Sequence, residues 1–161
     1  MYDIISLAVP LLIALVLLVS IFFKNGVLLT IVIVSIFVSL SSELFKKIIG
    51  HFFDHDCLLR PNNGMCTYCT LFNGETLSEN EIGFPSSHMS TATFISLSLS
   101  YFVCMSLEVT ITVKILLYSL AVLFIGIVGL SRYKKRCHNI VQILAGFVYG
   151  ILIMVIFIRK I

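Results

Sequence analysis

The chain has 161 residues, of which 59% are hydrophobic and 12% charged, and its formal net charge is +3. Its mean hydropathy of +1.09 lies far outside the range of soluble globular domains. The composition therefore excludes that class and indicates an integral membrane protein. The sequence does not interleave basic residues with exposed aromatic residues along a polar surface, so nucleic acid is not a predicted partner.

Five apolar runs are each near the roughly 20 residues that a helix needs to cross about 30 Å of hydrocarbon. They cover residues 4–23, 27–45, 88–107, 113–130 and 140–158. The first run lacks the basic leading segment and the cleavage site of a secretory signal, so it is predicted to be a retained helix. The sequence predicts an all-α, polytopic membrane bundle of about five transmembrane helices, with a single domain over residues 1–161.

The connections between these runs differ in length. Residues 50–84 form the only long polar segment, and its start, LFKKIIGHFF, predicts a short interfacial helix because basic and apolar faces alternate. The other connections are short: residues 24–26, a turn near Glu108, and residues 131–139. Because each span reverses the side of the membrane, segment 50–84 and turn 131–139 are predicted to lie on the same face.

Five cysteines are present, and this odd number excludes a complete disulfide framework within one chain. One group in the polar segment has the residue types of a zinc site, namely His51, His55, Asp56, Cys57 and the CTYC stretch with Cys66 and Cys69. Apart from CxxC, the spacing is irregular for zinc. A loop disulfide or free thiols are therefore the favoured interpretation, and no metal or other cofactor is predicted.

Three polar clusters fall on the common face. They are Arg60-Pro61 after Lys46 and Lys47; Pro85-Ser86-Ser87-His88; and Ser131-Arg132 followed by His138. Arginine binds phosphate oxygens in pairs, and two serines just before a helix place hydroxyl and backbone N–H groups near one anion. Two histidines suit a nucleophile and a general acid, since imidazole exists in both protonation states near neutral pH.

Each cluster also has a purely structural interpretation. A Pro-Ser-Ser stretch at a helix start is commonly a cap, and SRYKKRCH is commonly a basic turn that attracts anionic lipid. The coincidence of both stretches with Arg60 on one face favours a phosphate site.

These residues resemble the type 2 phosphatidic acid phosphatase superfamily, whose signatures are K-x6-RP, PSGH and SR-x5-H-x3-D. The resemblance covers residues 46–142 and implies the chloroperoxidase-like helical core of that family. It implies that His138 is the nucleophile that forms a phosphohistidine and that His88 is the general acid. It further implies that Arg60, Arg132 and Ser86 bind phosphate, with Ser87 in place of the usual glycine.

Two positions depart from the family pattern. Phe53 stands where the first signature has lysine, and Lys46 lies seven residues earlier, about 10 Å along a straight helix. Lys46 or Lys47 is a candidate substitute if a bend at Gly50 brings it closer. Gln142 stands where the family has an acid, and its amide oxygen can still orient His138 without supplying negative charge.

The predicted function is that of a metal-independent membrane lipid phosphatase. Gln142 together with the G-x-PSSH context is similar to the dolichyl-diphosphate phosphatase branch, which favours a polyisoprenyl diphosphate substrate, with phosphatidic acid-type lipids next. A non-catalytic member that binds lipid phosphates or partners is the alternative, motivated by Phe53. The sequence does not indicate an oligomeric state.

The orientation in the membrane is predicted from the family resemblance. Basic residues on the face of the site outnumber those on the other face by seven to four, but this becomes four to four without the phosphate ligands Arg60, Arg132 and one lysine. The resemblance implies an extracytoplasmic or lumenal active site.

Overall fold

The computed structural model describes residues 2–52, 58–61 and 82–160, and these residues form five α-helices. In chain order they are α1 (Tyr2–Phe22), α2 (Gly26–Phe52), α3 (Ser87–Ser106), α4 (Ile111–Lys134) and α5 (Ile140–Ile158). The one β-type pairing among the described residues is an antiparallel bridge between Leu59 and Ile82. The predicted all-α bundle is confirmed.

Four of the helices are long and apolar enough to cross a membrane. These spans are Gly26–Ile49, Ser87–Ser106, Ile111–Lys134 and Ile140–Ile158, and the apolar part of α1, Leu7–Phe22, is shorter. Large apolar side chains such as Leu18, Leu40 and Leu130 are exposed on the outside of the bundle. Because such side chains are unfavourable in water and favourable in lipid, the outer surface fits a bilayer.

Helix α3 is the central helix, because it contacts all four others. Its serines and threonines are mostly buried, and their small size lets neighbouring backbones approach closely in lipid. Helix α3 approaches α5 closely at Gly146 and Gly150, where a Cβ atom would lie 2.5 Å from the carbonyl oxygens of Ser86 and Ser90 respectively. This close crossing fixes the start of α3 against α5.

Two predicted boundaries need correction. Helix α2 continues without interruption to Phe52, so residues 44–52 of the LFKKIIGHFF stretch belong to this helix and do not form a separate interfacial one. Helix α4 continues to Lys134, so Ser131 and Arg132 belong to its last turn. Both helices therefore reach further toward the site than their apolar runs indicate, because basic residues at a helix end can extend beyond the hydrocarbon into the polar interface.

Candidate active site

The three predicted clusters meet at one end of the bundle, where α2 and α4 end and α3 and α5 begin. The backbone N–H of Ser86 donates to the carbonyl oxygen of Gln142 at 3.1 Å, and Lys46 Nζ lies 3.4 Å from Ser87 Oγ. The structure thus confirms that the end of the polar segment and the α4–α5 turn lie on the same face.

The turn from α4 to α5 is shaped by a Schellman motif. The Arg136 N–H donates to the Tyr133 carbonyl, the Cys137 N–H donates to the Arg132 carbonyl at 3.1 Å, and Arg136 has φ of +52°. A left-handed residue at this position reverses the chain after a helix. The reversal places His138 directly after Cys137, beside Arg132, and all three side chains are buried.

His138 is held by the side chain of Gln142, which is fully buried. The imidazole Nδ1 lies 3.1 Å from Gln142 Oε1, and the same oxygen accepts the Asn139 N–H at 3.2 Å. The other end of the amide, Nε2, donates to the carbonyls of Leu58 and Leu59 at 3.1 and 2.7 Å. Backbone N–H groups only donate and carbonyls only accept, so these partners fix which end of the amide is oxygen.

This orientation also fixes the tautomer of His138. Because Gln142 Oε1 can only accept, Nδ1 must carry the hydrogen of their 3.1 Å contact. In the neutral ring, Nε2 then keeps its lone pair. The second nitrogen, Nε2, is therefore the one that can act as a base or a nucleophile.

The surroundings of His138 favour its neutral form. Burial holds the pKa of the imidazole well below its usual 6.5, and the charges of Arg60, Lys46 and Arg132 lower the pKa further. The hydrogen bond with Gln142 acts in the opposite direction and raises it. A neutral imidazole among three cations has an available lone pair and a strong preference for an anionic ligand.

The start of α3 differs from a simple helix cap. Ser86 occupies the N-cap position, but its side chain makes no capping hydrogen bond. Its Oγ is buried and has no hydrogen-bond partner among the described residues. Four buried hydroxyls further along α3, on Thr91, Thr93, Ser96 and Ser98, share this property. The Ser86 hydroxyl is a candidate ligand because it lies at the start of α3, directly before Ser87 and His88, where an anion could satisfy it. The expectation that the Ser86 N–H faces the anion is wrong, because the Gln142 carbonyl accepts it.

Lys46 reaches the site, whereas Lys47 is exposed. The Lys46 ammonium forms an ion pair with Glu43 at 2.5 Å, and Glu43 also accepts the Ser87 hydroxyl at 2.6 Å. No bend at Gly50 is needed, because α2 stays helical and the helix phase places Lys46 on the inward face with Ser42 and Val38. Phe53 lies outside the described residues.

Arg60 arrives on a short backbone segment that folds back against the start of α3. The Leu59–Ile82 bridge and a hydrogen bond from the Gly83 N–H to the Leu58 carbonyl, 2.8 Å, align this segment. A Cβ atom on Gly83 would overlap the Gln142 amide and lie 3.0 Å from Arg60 Cγ. Glycine is therefore required here for close approach.

His88, in the first turn of α3, completes the constellation. It is partly buried and lies within electrostatic range of Arg132, His138, Lys46 and Arg60. The site thus brings two imidazoles and three cations within electrostatic range of one another, a composition suited to a phosphoryl group.

Two residues of this site were missed by the sequence interpretation. Glu43 precedes Lys46 by three residues, a spacing at which opposite charges pair on a helix, so the signal was present. Asn139 accepts the Gln142 N–H at 3.0 Å and forms a capping box with it. An Asn-x-x-Gln spacing before an apolar run indicates such a cap.

The proposed zinc group is tested only in part. His51 is exposed at the end of α2, and no metal-binding group of three or more His, Cys, Asp or Glu side chains occurs within the described ranges. Its other members, His55, Asp56, Cys57, Cys66 and Cys69, lie outside those ranges. For them, the prediction of a loop disulfide or free thiols and the alternative of a zinc site both stay untested. Cys137 is disulfide-bonded and Cys104 is a free thiol.

Comparison with known proteins identifies the family. The chain resembles the crystal structure of a transmembrane PAP2-type phosphatidylglycerolphosphate phosphatase from Bacillus subtilis, with 19% sequence identity and a TM-score of 0.58. The match covers 99% of this chain and 83% of the other, and at this identity it shows the fold alone. No curated protein matches the sequence. The PAP2 superfamily profile matches residues 12–161, and the chain belongs to that superfamily.

Proposed function

We propose that the protein is an integral membrane lipid phosphatase that hydrolyses a phosphate or diphosphate ester of a lipid through a phosphohistidine on His138. The observation that carries this proposal is the fixed tautomer of His138, which leaves a lone pair on Nε2 of a ring within electrostatic range of Arg60, Lys46 and Arg132. A nucleophile held in this form next to anion ligands is what in-line phosphoryl transfer requires.

The first chemical step forms one bond and breaks another. The His138 Nε2 lone pair attacks phosphorus while the bond from phosphorus to the lipid oxygen breaks. His88, which takes up a proton when the anionic substrate binds, donates this proton to the departing oxygen. Arg60, Arg132 and Lys46 stabilise the charge on the three equatorial oxygens, and the Ser86 hydroxyl donates to one of them. No step requires a metal, so we expect activity to persist in EDTA.

The second step releases phosphate. His88, now neutral, accepts a proton from a water molecule that attacks phosphorus opposite His138. The N–P bond breaks, and its electron pair returns to Nε2, so both histidines recover their starting protonation states. General acid and base roles on one histidine are consistent with an imidazole that faces the same phosphate throughout.

The alternative is a non-catalytic member that binds lipid phosphates or partners. This alternative is motivated by Phe53, which stands where the family has lysine. The position of Lys46 beside Ser87 supports a catalytic protein instead. Phosphate release above that of a His88→Ala/His138→Ala double variant, on any substrate, would exclude the non-catalytic alternative.

The proposed substrate class is a polyisoprenyl diphosphate, with phosphatidic acid-type lipids as the second choice. Gln142 and the G-x-PSSH context support the first. The fold shared with a phosphatidylglycerolphosphate phosphatase supports including glycerophospholipid phosphates. A phosphate-release panel of isoprenoid diphosphates, phosphatidic acid and phosphatidylglycerophosphate would rank these substrates.

An extracytoplasmic or lumenal site is the proposed orientation. The disulfide at Cys137 supports it, because disulfides persist in oxidising compartments and are rare in the cytosol. The test is labelling of intact cells with a membrane-impermeant maleimide. We expect Lys134→Cys to react and the control Lys160→Cys, at the opposite end of the bundle, to react only after permeabilisation. The reverse pattern would place the site in the cytoplasm.

The experiment that tests the proposed activity compares purified wild type with His138→Ala and His88→Ala. We expect His138→Ala to lose about 10⁴-fold or more in kcat/KM, and His88→Ala about 10²- to 10⁴-fold. The His88→Ala loss should be smaller on a diphosphate, because a phosphate leaving group needs less help from a proton. Undiminished release by His138→Ala would exclude the nucleophile assignment.

A further inference from the structure

Gln142 departs from the family pattern, and its contacts indicate what the departure does. A carboxylate at this position can accept a hydrogen bond from His138, but it has no hydrogen to donate. The Gln142 amide does both, because Oε1 faces His138 and Nε2 donates to the Leu58 and Leu59 carbonyls. The donating half of the amide has no counterpart in an acid.

The two carbonyls that Nε2 binds lie one and two residues before Arg60. The Leu59–Ile82 bridge and the bond from the Gly83 N–H to the Leu58 carbonyl also align this segment. Gly83 lets the amide and the Arg60 side chain approach each other closely. The Gln142 amide is therefore part of what sets the position of Arg60.

We propose that Gln142 is a positioning residue with two partners, and that its amide aligns the phosphate-binding Arg60 segment as well as the nucleophile His138. This inference rests on the proposed function. It predicts that Gln142→Glu, which introduces the type of group usual in the family, impairs this enzyme and does not improve it.

The physical reason lies in the two carbonyls. A carboxylate in the same place would point one oxygen at the Leu58 and Leu59 carbonyl oxygens, and like partial charges in a buried site repel. Because the Gln142 side chain is fully buried, water cannot easily enter to bridge them. The segment would move away from the turn and take Arg60 with it.

The test measures two properties separately in wild type and Gln142→Glu: the protonation of His138, from the pH profile, and the affinity for phosphate. In Gln142→Glu, we expect the concentration of inorganic phosphate needed to inhibit the enzyme, or to stabilise it thermally, to rise by about tenfold or more. We expect kcat/KM to fall by a similar factor. We also expect the acidic limb of the pH profile to move to higher pH, because a carboxylate beside His138 favours the imidazolium. A residue that only orients His138 would change the pH limb and leave phosphate affinity intact.

Two further variants make the test specific. Ile140→Glu adds the same charge two residues from His138 at an exposed position and keeps the Gln142 amide and the helix cap, so it should retain phosphate affinity within about twofold of wild type. In an Arg60→Ala background, Gln142→Glu should cause no further loss of phosphate affinity, because the residue through which it acts is gone. If Gln142→Glu does not fold, the neutral Gln142→Met removes the same donor. Its phosphate affinity can then be compared in the wild-type and Arg60→Ala backgrounds.

The outcomes are distinguishable. Wild-type phosphate affinity in Gln142→Glu, or an equal loss in the Arg60→Ala background, would overturn the two-partner role while leaving the phosphatase function intact. A wild-type protein that neither releases nor binds phosphate would overturn the proposed function and this inference with it.

Discussion

The two helices that begin at the site satisfy their first turns in opposite ways. At the start of α5, Asn139 and Gln142 form a reciprocal capping box, and the Gln142 amide uses both of its ends. At the start of α3, the Ser86 side chain caps nothing, and its buried Oγ has no hydrogen-bond partner within the described ranges. We call the start of α5 with His138 the nucleophile half of the site, and the start of α3 with Ser86 and Lys46 the anion half. Contacts within the protein hold the nucleophile half, whereas the anion half contains a hydroxyl whose partner we expect to be the substrate.

The largest effect within the anion half is expected from the lysine that α2 supplies. Lys46→Ala removes a buried charge beside Ser87 and should raise KM by about 10- to 100-fold, the range of a charge-assisted hydrogen bond. Lys47→Ala, one residue further on the exposed side, is the matched control and should stay within about twofold in the same phosphate-release assay. Equal effects of the two variants would contradict the placement of Lys46.

The contact between the two halves is tested at Gly146. A Cβ atom there would lie 2.5 Å from the Ser86 carbonyl oxygen, so Gly146→Ala should separate α3 from α5 and lower the free energy of unfolding by about 1–3 kcal/mol. Gly126, where a Cβ atom meets nothing within 4 Å, provides the control variant Gly126→Ala. Thermal unfolding in detergent measures both, and an undisturbed Gly146→Ala protein would contradict the close crossing.

A smaller pair of effects distinguishes the two helix starts directly. Asn139→Ala removes a working cap and should cost about 1 kcal/mol of stability. Ser86→Ala removes a hydroxyl without a described partner, so stability should be unchanged or higher while phosphate affinity falls by about tenfold. If Ser86→Ala instead destabilises the protein as much as Asn139→Ala does, Ser86 is an ordinary cap.

The smallest effect is a pH dependence that belongs to the nucleophile half. The pKa of His138 is lower in the folded protein than 6.5, so below pH 6.5 the unfolded chain binds more protons. The His138 contribution to stability is therefore complete above pH 6.5 and is lost as the pH falls toward the folded-state pKa. The acidic limb of kcat/KM should likewise lie below 6.5. His138→Ala should remove this part of the pH dependence of unfolding, and a limb above 6.5 would contradict the neutral His138.

The sequence predicted the parts of this site that depend on local pattern. Span counting placed the clusters on one face, and the spacing of Ser131, Arg132 and His138 identified the turn. The choice between Lys46 and Lys47 stayed open, although the inward phase of α2 through Ser35, Val38 and Ser42 contains the answer. Gly146 and Gly150 carried a small-xxx-small signal for close helix contact that was not used.

The second role of Gln142 was beyond sequence reasoning. It depends on the return of Leu58 and Leu59 from a different part of the chain, more than 80 residues away along the sequence. Neither propensity nor spacing encodes such a contact. The state of the Ser86 hydroxyl was also not predictable, because the sequence shows a capping residue but not whether its hydroxyl makes a hydrogen bond.

In the proposed mechanism, His138 Nε2 becomes covalently bonded to phosphorus during turnover. The most direct measurement is rapid quenching of the enzyme with a lipid substrate labelled at its reacting phosphorus, followed by peptide mapping. We expect an acid-labile, base-stable phosphoryl group on His138, which is absent in His138→Ala and persists longer in a variant that slows water attack, such as His88→Ala with a diphosphate. Rapid turnover by wild type with no phosphoryl group on His138, or with His138→Ala equally active, would contradict it.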